Sequence, residues 1–249
     1  LSIRRQRQMC IRDRCEPVVM DTRFNSSVTD IFRNEYLSPR SPYTTLQIPK
    51  QGIGEWCHPL HTVDINDAGL RSSVQNGILN TELGIPFRTP AEGHNVAFTS
   101  LWDNYPDSLE IPLKGKASRA YLLMAGSTNH MQCHIDNGVI RIYYKDGTRD
   151  VMFLRNPDNW PPIEHIFFED GLAFNRHTPA LYRLRLKTGE ISNNFGEELG
   201  FPGASRELDG GAAVLLEMPL NPGKKLSHLV LETLSNDVVI GLMSITLQR

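Results

Sequence analysis

From Gly84 onward the chain alternates short runs of Val, Ile, Leu, Phe and Tyr with clusters of Gly, Pro, Asn and Asp. A strand sends successive side chains to opposite faces, so a half-buried one alternates apolar and polar positions. "RAYLLMAG" and "LYRLRLK" read in this way, with one apolar face and one polar or mixed face. Nine strands are expected, at Asn95–Ser100, Ser108–Leu113, Arg119–Ala125, Val139–Tyr144, Arg149–Leu154, Leu181–Lys187, Ala212–Met218, Leu226–Leu234 and Val238–Leu247. Leu181, Leu184 and Leu186 break the period of two, which predicts a bulge or a strand start near Tyr182. Asp146-Gly147 marks a tight turn, because glycine tolerates the positive φ that such hairpins need. "IDNG" at Ile135–Gly138 marks another, and Ser235-Asn236-Asp237 joins the last two strands.

After residue 84 no apolar stripe persists at helical spacing for three turns. The best helix candidate comes earlier, at Ser26–Tyr36 ("SSVTDIFRNEY"), with Ser26 or Ser27 as cap and Val28, Ile31 and Phe32 on one face. Pro17, Pro39, Pro42 and Pro49 interrupt the surrounding segment, so residues 15–55 read as an extended tail or linker from an upstream domain. Residues 56–249 then form one all-β unit, a jelly-roll β-sandwich. Leu122, Met124, Ile142, Leu184, Leu215, Leu231 and Ile240 are its expected core.

The leader "LSIRRQRQMCIRDRC" belongs to neither part. Five arginines lie within Leu1–Arg14, and no apolar run follows that would complete a signal peptide. Gln8–Arg14 back-translates as CAG-ATG-TGT-ATA-AGA-GAC-AGR, which resembles the end of a transposon used to fragment DNA for sequencing. Residues 1–14 are therefore expected to be an artefactual, disordered leader; a genuine basic arm is the alternative.

Setting that leader aside changes the charge. The 26 basic and 28 acidic side chains become 21 and 27 once five arginines and Asp13 are removed, for a net charge of about −6. A mildly acidic chain without a Lys/Arg cluster has no footprint for a phosphate backbone, so nucleic acid is not an expected partner. No apolar run approaches the ~20 residues of a membrane-spanning helix. Cys15, Cys57 and Cys133 are widely spaced and form no C-x-x-C pair, so no structural zinc site is expected. They read as free thiols, or as a Cys57–Cys133 bridge in a secreted domain.

Three segments resemble a known family: "GIPFRTP" at Gly84–Pro90, "IPLKGKASRAYLLMAGST" at Ile111–Thr128 and "NDVVIGLMSITL" at Asn236–Leu247. They are similar to the galactose-binding-like jelly rolls appended to large bacterial glycoside hydrolases. In particular they resemble the C-terminal sandwich of a family related to six-hairpin, glycogen-debranching-like glycosidases. The resemblance spans about residues 55–249 and rests mostly on core and turn positions. It implies an extracytoplasmic (periplasmic or secreted), saccharolytic setting, with a catalytic domain upstream. Fold analogy by itself does not establish chemistry.

Candidate binding residues gather in loops. In "FTSLWDNYPDS", Trp102 and Tyr105 could stack on a sugar while Asp103 accepts its hydroxyls; alternatively Trp102 plugs the sandwich end and Asp103 makes an Asx-turn. In "NPDNWPPIEHIFFED", the prolines stiffen a loop holding Trp160, which with Glu164 could form a ligand platform or simply fold across the sheet. Glu164 and His165 are adjacent, so in an extended strand they would face apart. His130 and His134 are four apart, but along a strand that places them about 13 Å from each other, too far to share an ion. His58 and His61 in "WCHPLH" lack a third ligand. No metal and no cofactor are expected. "EISNNFGEELGFPG" reads as a surface loop or as an insertion reaching a neighbouring cleft.

The leading reading is a non-catalytic accessory β-sandwich that binds glycan weakly or buttresses an upstream glycoside hydrolase domain of the same chain. The alternatives are a glycosidase fragment using Asp103 and Glu164 as its carboxylate pair, and a purely structural interaction module.

Overall fold

The computed structural model describes residues 14–37, 63–128, 133–166, 175–199 and 206–249. The leader's first thirteen residues, the "WCHPLH" histidines, Cys57 and His130 lie outside the described residues. The first described strands are β1 (Cys15–Pro17), β2 (Val74–Gln75), β3 (Ile78–Asn80), β4 (Pro86–Arg88) and β5 (Ala97–Ser100). Next come β6 (Ser108–Pro112), β7 (Arg119–Gly126), β8 (Asp136–Tyr144), β9 (Arg149–Arg155) and β10 (Arg183–Arg185). The last are β11 (Ile191–Ser192), β12 (Ala212–Pro219), β13 (Leu226–Thr233) and β14 (Val239–Gln248). Two short helices, α1 (Ala68–Ser72) and α2 (Phe195–Glu198), lie between them. All nine expected strands form, and the fold is an antiparallel all-β sandwich.

One sheet has the order β1-β14-β7-β12-β10-β11. The free side of β14 is covered in succession, by β5 opposite Val239–Leu242 and by β1 opposite Thr246–Gln248. The second sheet has the order β6-β13-β8-β9, and β2-β3-β4 make a third, smaller one. The strands β13 and β14, consecutive in the chain, belong to different sheets, so the turn between them crosses the sandwich. Asp237 sits in that turn at φ +58.

Between the two main sheets Leu122, Met124, Leu216 and Ile240 meet Ile140, Ile142, Leu229 and Leu231, all essentially inaccessible to water. All seven expected core residues are buried, but they do not share one core. Leu184 and Leu215 lie in a second cluster with Leu123, Phe87, Phe98 and Val239, on the far side of the larger sheet. That sheet is therefore buried on both faces. The expectation of a half-buried β7 is corrected accordingly: in "YLLMAG" Leu122 and Met124 face one core, and Tyr121, Leu123 and Ala125 face the other.

Part of the second cover comes from the segment expected to be a tail. Residues 14–37 are integrated into the sandwich: β1 extends the sheet, and Val18 N–H donates to Ile245 O at 2.8 Å. Val28, Ile31 and Tyr36 are buried in the second core. The predicted helix at Ser26–Tyr36 is only a single 3₁₀ turn at Val28–Asp30. Its first N–H is taken from afar, by Asn95 Oδ1 at 3.0 Å rather than by a serine cap. Three residues of helix suffice because the apolar face is pinned by packing rather than by its own hydrogen bonds.

A β-bulge between Leu242 and Ser244 re-phases β14. Ile240 and Leu242 face the first core before it, and Ile245 and Leu247 do so after it. On the opposite face Ser244 Oγ donates to Arg88 O at 2.9 Å, and Thr246 Oγ1 donates to Pro86 O. Two hydroxyls thus dock the small sheet onto the large one.

Candidate functional site

The expected aromatic platform does not form. Trp102 and Tyr105 are buried, packed edge-on against Tyr36 with ring centroids 6.5 and 6.3 Å away, and Phe98 lies 5.1 Å from Tyr105. Burial pushes the Tyr36 and Tyr105 hydroxyls above their ordinary range. Trp160 is fully buried in the other core, where its indole N–H donates to Ser127 O at 3.2 Å. Gly126 makes room for that ring, since a Cβ there would stand 2.6 Å from it. Trp102 and Trp160 thus serve separate cores, and neither ring face is open to a sugar. Of the loop trio only Asp103 is exposed. The physical reason is that large aromatic rings bury more apolar area than any other side chain and close the sandwich ends where loops leave gaps.

Glu164 is also buried, and it lies in a turn rather than a strand, so His165 does not face away from it. The Nδ1 of His165 stands 3.7 Å from Glu164 Oε1. Burial pushes the Glu164 carboxyl up to about 7, opposed only in part by a backbone hydrogen bond and the charge of Arg183. Arg183, itself 6 % exposed, projects from β10 and is lowered to about 10 by the same burial. Its guanidinium donates to Pro162 O at 2.6 Å, His165 O at 2.7 Å and Ala212 O at 2.9 Å. It thereby ties the Trp160 loop to β12. Asp103 and Glu164 are not brought together as a carboxylate pair: one is exposed, the other is sealed in.

A cavity of about 340 Å³ opens beside Arg183. Arg176 and Arg206 also line it, together with Asn193, Asn194 and Phe195. These last belong to "EISNNFGEELGFPG", which forms one wall as β11 and α2. Ser192 Oγ donates to Glu198 Oε1 at 2.7 Å and Asn194 Nδ2 to Glu197 Oε2 at 2.9 Å, so this wall is braced by its own hydrogen bonds. Among the described residues lining the cavity three are arginines and none is acidic. The volume is at the small end of ligand sites, which run from about 300 to 1,000 Å³. The arginines were not legible as a set, because residues 176, 183 and 206 converge only through the β10–β12 pairing and the loops around it.

A second cluster adjoins this cavity along the chain. Pro157 and Arg176 line the cavity, and their chain neighbours are Asp158 and His177. His134 completes the group: its Nδ1 lies 3.5 Å from Asp158 Oδ2, and His177 Nδ1 lies 3.5 Å from Asp158 Oδ1. The partners that sequence spacing offered to His134 were wrong, since its neighbours come from 24 and 43 positions further on.

No protein-family model, no curated protein and no solved structure matches this chain, and the candidate sites therefore stand on their own chemistry.

Proposed function

We propose that the chain is a non-catalytic binding module of a carbohydrate-active protein and that its cavity holds one acidic sugar unit. The observation that supports this is the convergence of Arg176, Arg183 and Arg206 on a cavity with no acidic side chain among its described lining residues. Guanidinium groups suit carboxylates, because their planar fork of donors matches the two oxygens. Asparagine side chains of the Asn193–Asn194 wall supply both donors and acceptors of the kind that hydroxyls need. Phe195 offers an apolar edge for ring C–H groups. The jelly-roll connectivity, the extracytoplasmic setting and the upstream glycoside hydrolase domain implied by the resemblance belong to the same proposal.

Calorimetric titration of the full chain with glucuronate, galacturonate, glucose and galactose tests it. The acidic sugars are expected to bind with a Kd of about 1 mM, some −4 kcal/mol, as suits a single small ligand. Binding should weaken with added salt and be lost in Arg206→Ala. Equal binding of the neutral sugars, or no binding of either acid, would overturn the reading.

A further inference from the structure

We infer that His134, Asp158 and His177 form a binding site for one divalent first-row transition-metal ion, with zinc as the best-suited occupant. One ligand atom from each residue can be chosen so that all three lie within 4.8 Å of one another. The two imidazole-to-carboxylate separations of 3.5 Å are longer than an ordinary N–H···O hydrogen bond, which runs from about 2.7 to 3.2 Å. They match what an ion between them would require. Bonds of about 2.0–2.1 Å arranged tetrahedrally put neighbouring donor atoms about 3.4 Å apart. The two rings lie 4.6 Å apart and inclined by 34°, so both present nitrogen toward the same carboxylate.

The donors are held by backbone contacts that do not depend on a metal. His134, at the left-handed φ of +56, donates its N–H to Asn156 O at 2.6 Å, beside the bridge between Cys133 and Asn156. Asp158 Oδ1 accepts the His177 backbone N–H at 2.7 Å, and Asp158 O accepts the Thr178 hydroxyl at 2.7 Å. Three separate stretches are thereby fixed around one point, as a preorganised site needs. Two imidazoles and a carboxylate favour zinc and its neighbours over calcium or magnesium, which prefer all-oxygen shells. Three protein donors leave a fourth position, and it faces water: the His177 side chain is 64 % exposed, against 15 % for Asp158.

The test is equilibrium dialysis of the full chain, stripped with a chelator and returned to Zn²⁺, with bound metal counted by elemental analysis. One zinc per chain is expected, accompanied by a rise in Tm. Co²⁺ in its place should give the visible absorption of a four-coordinate nitrogen and oxygen site. His177→Ala and Asp158→Asn should each weaken binding at least tenfold. His134→Asn should do the same, and asparagine tolerates the left-handed backbone there. His177 is exposed, so its variant keeps the test valid if His134→Asn fails to fold. Absence of saturable zinc binding, or unchanged affinity in His177→Ala and Asp158→Asn, would overturn the inference. Arg206→Ala should leave zinc binding intact, which separates this site from the anion-binding reading.

Discussion

The two main sheets of this sandwich do opposite things with their outer faces. The β6-β13-β8-β9 sheet keeps one face in the core and turns the other to water, where Arg141 pairs with Glu232, Tyr143 stacks on His228 at 4.6 Å, and Phe153 stays 41 % exposed. The larger sheet has no such face. Its second side carries Phe87, Phe98, Leu123 and Val239, under a cover built by residues 14–37 and the small β2-β3-β4 sheet. A two-layer sandwich needs one apolar stripe per strand, whereas a strand covered twice must be apolar throughout. The difference teaches that "YLLMAG" and "AAVLL" were themselves evidence of a third layer.

That contrast can be broken most directly at adjacent leucines. Leu122→Ala and Leu123→Ala should each lower the stability measured by urea unfolding by about 2–5 kcal/mol, because they face different cores of equal density. A near-zero effect of Leu123→Ala would reduce the larger sheet to a one-sided one. Trp102→Ala belongs to the same class and should lower the Tm.

The buried carboxyl offers a second handle. Glu164 is raised in the folded state from 4.5 to about 7, so the folded protein holds a proton that the unfolded chain releases. Its contribution is therefore fully present below about pH 4.5 and is lost as the pH rises through 7. The difference amounts to about 3 kcal/mol. Glu164→Gln should be the more stable protein at pH 8, by up to that amount, with the advantage vanishing near pH 4. Parallel stability curves for the two proteins over that range would show that Glu164 is not buried as a proton-holding acid.

Smaller effects probe the cover. Asn95→Ala removes the acceptor of the Val28 N–H and a 2.7 Å bond to Asp67 Oδ2, and should cost about 1–3 kcal/mol. Hydrogen exchange should then rise first at Val28 and its neighbours. The smallest change belongs on the solvated face, where Arg141→Ala should cost no more than about 1 kcal/mol in the same denaturation assay.

Much of the frame was legible because strands announce themselves locally. Val, Ile and Leu runs bounded by Asp146-Gly147 or Ser235–Asp237 located all nine expected strands, and the chosen core residues are buried. Facing was less legible. Alternation shows that Leu122 and Leu123 point apart, but not that both find cover, since the covering residues are remote. The same limit hid the sites. Trp102, Tyr105 and Trp160 carry the chemistry of sugar stacking in any context, and only burial distinguishes a platform from a plug. His134 meets Asp158 and His177 through a loop crossing, and no spacing rule links 134, 158 and 177. The prolines of "NPDNWPPIEH" correctly marked a rigid loop. What that rigidity positions, an aspartate beside two histidines and an arginine-lined hollow, depends on long-range contacts.

The bulge in β14 has a consequence at the level of the gene. Replacing Met243 alters one side chain, but deleting its codon alters the facing of everything from Ser244 to Gln248. Ile245 and Leu247 would turn toward β4, while the hydroxyls of Ser244 and Thr246 would enter the apolar core and abandon the Arg88 and Pro86 carbonyls. Drift in this strand is thus tolerant of exchange and intolerant of changes in length. Related genes are expected to vary the residue at this position while keeping the interval between Leu242 and Ile245 constant.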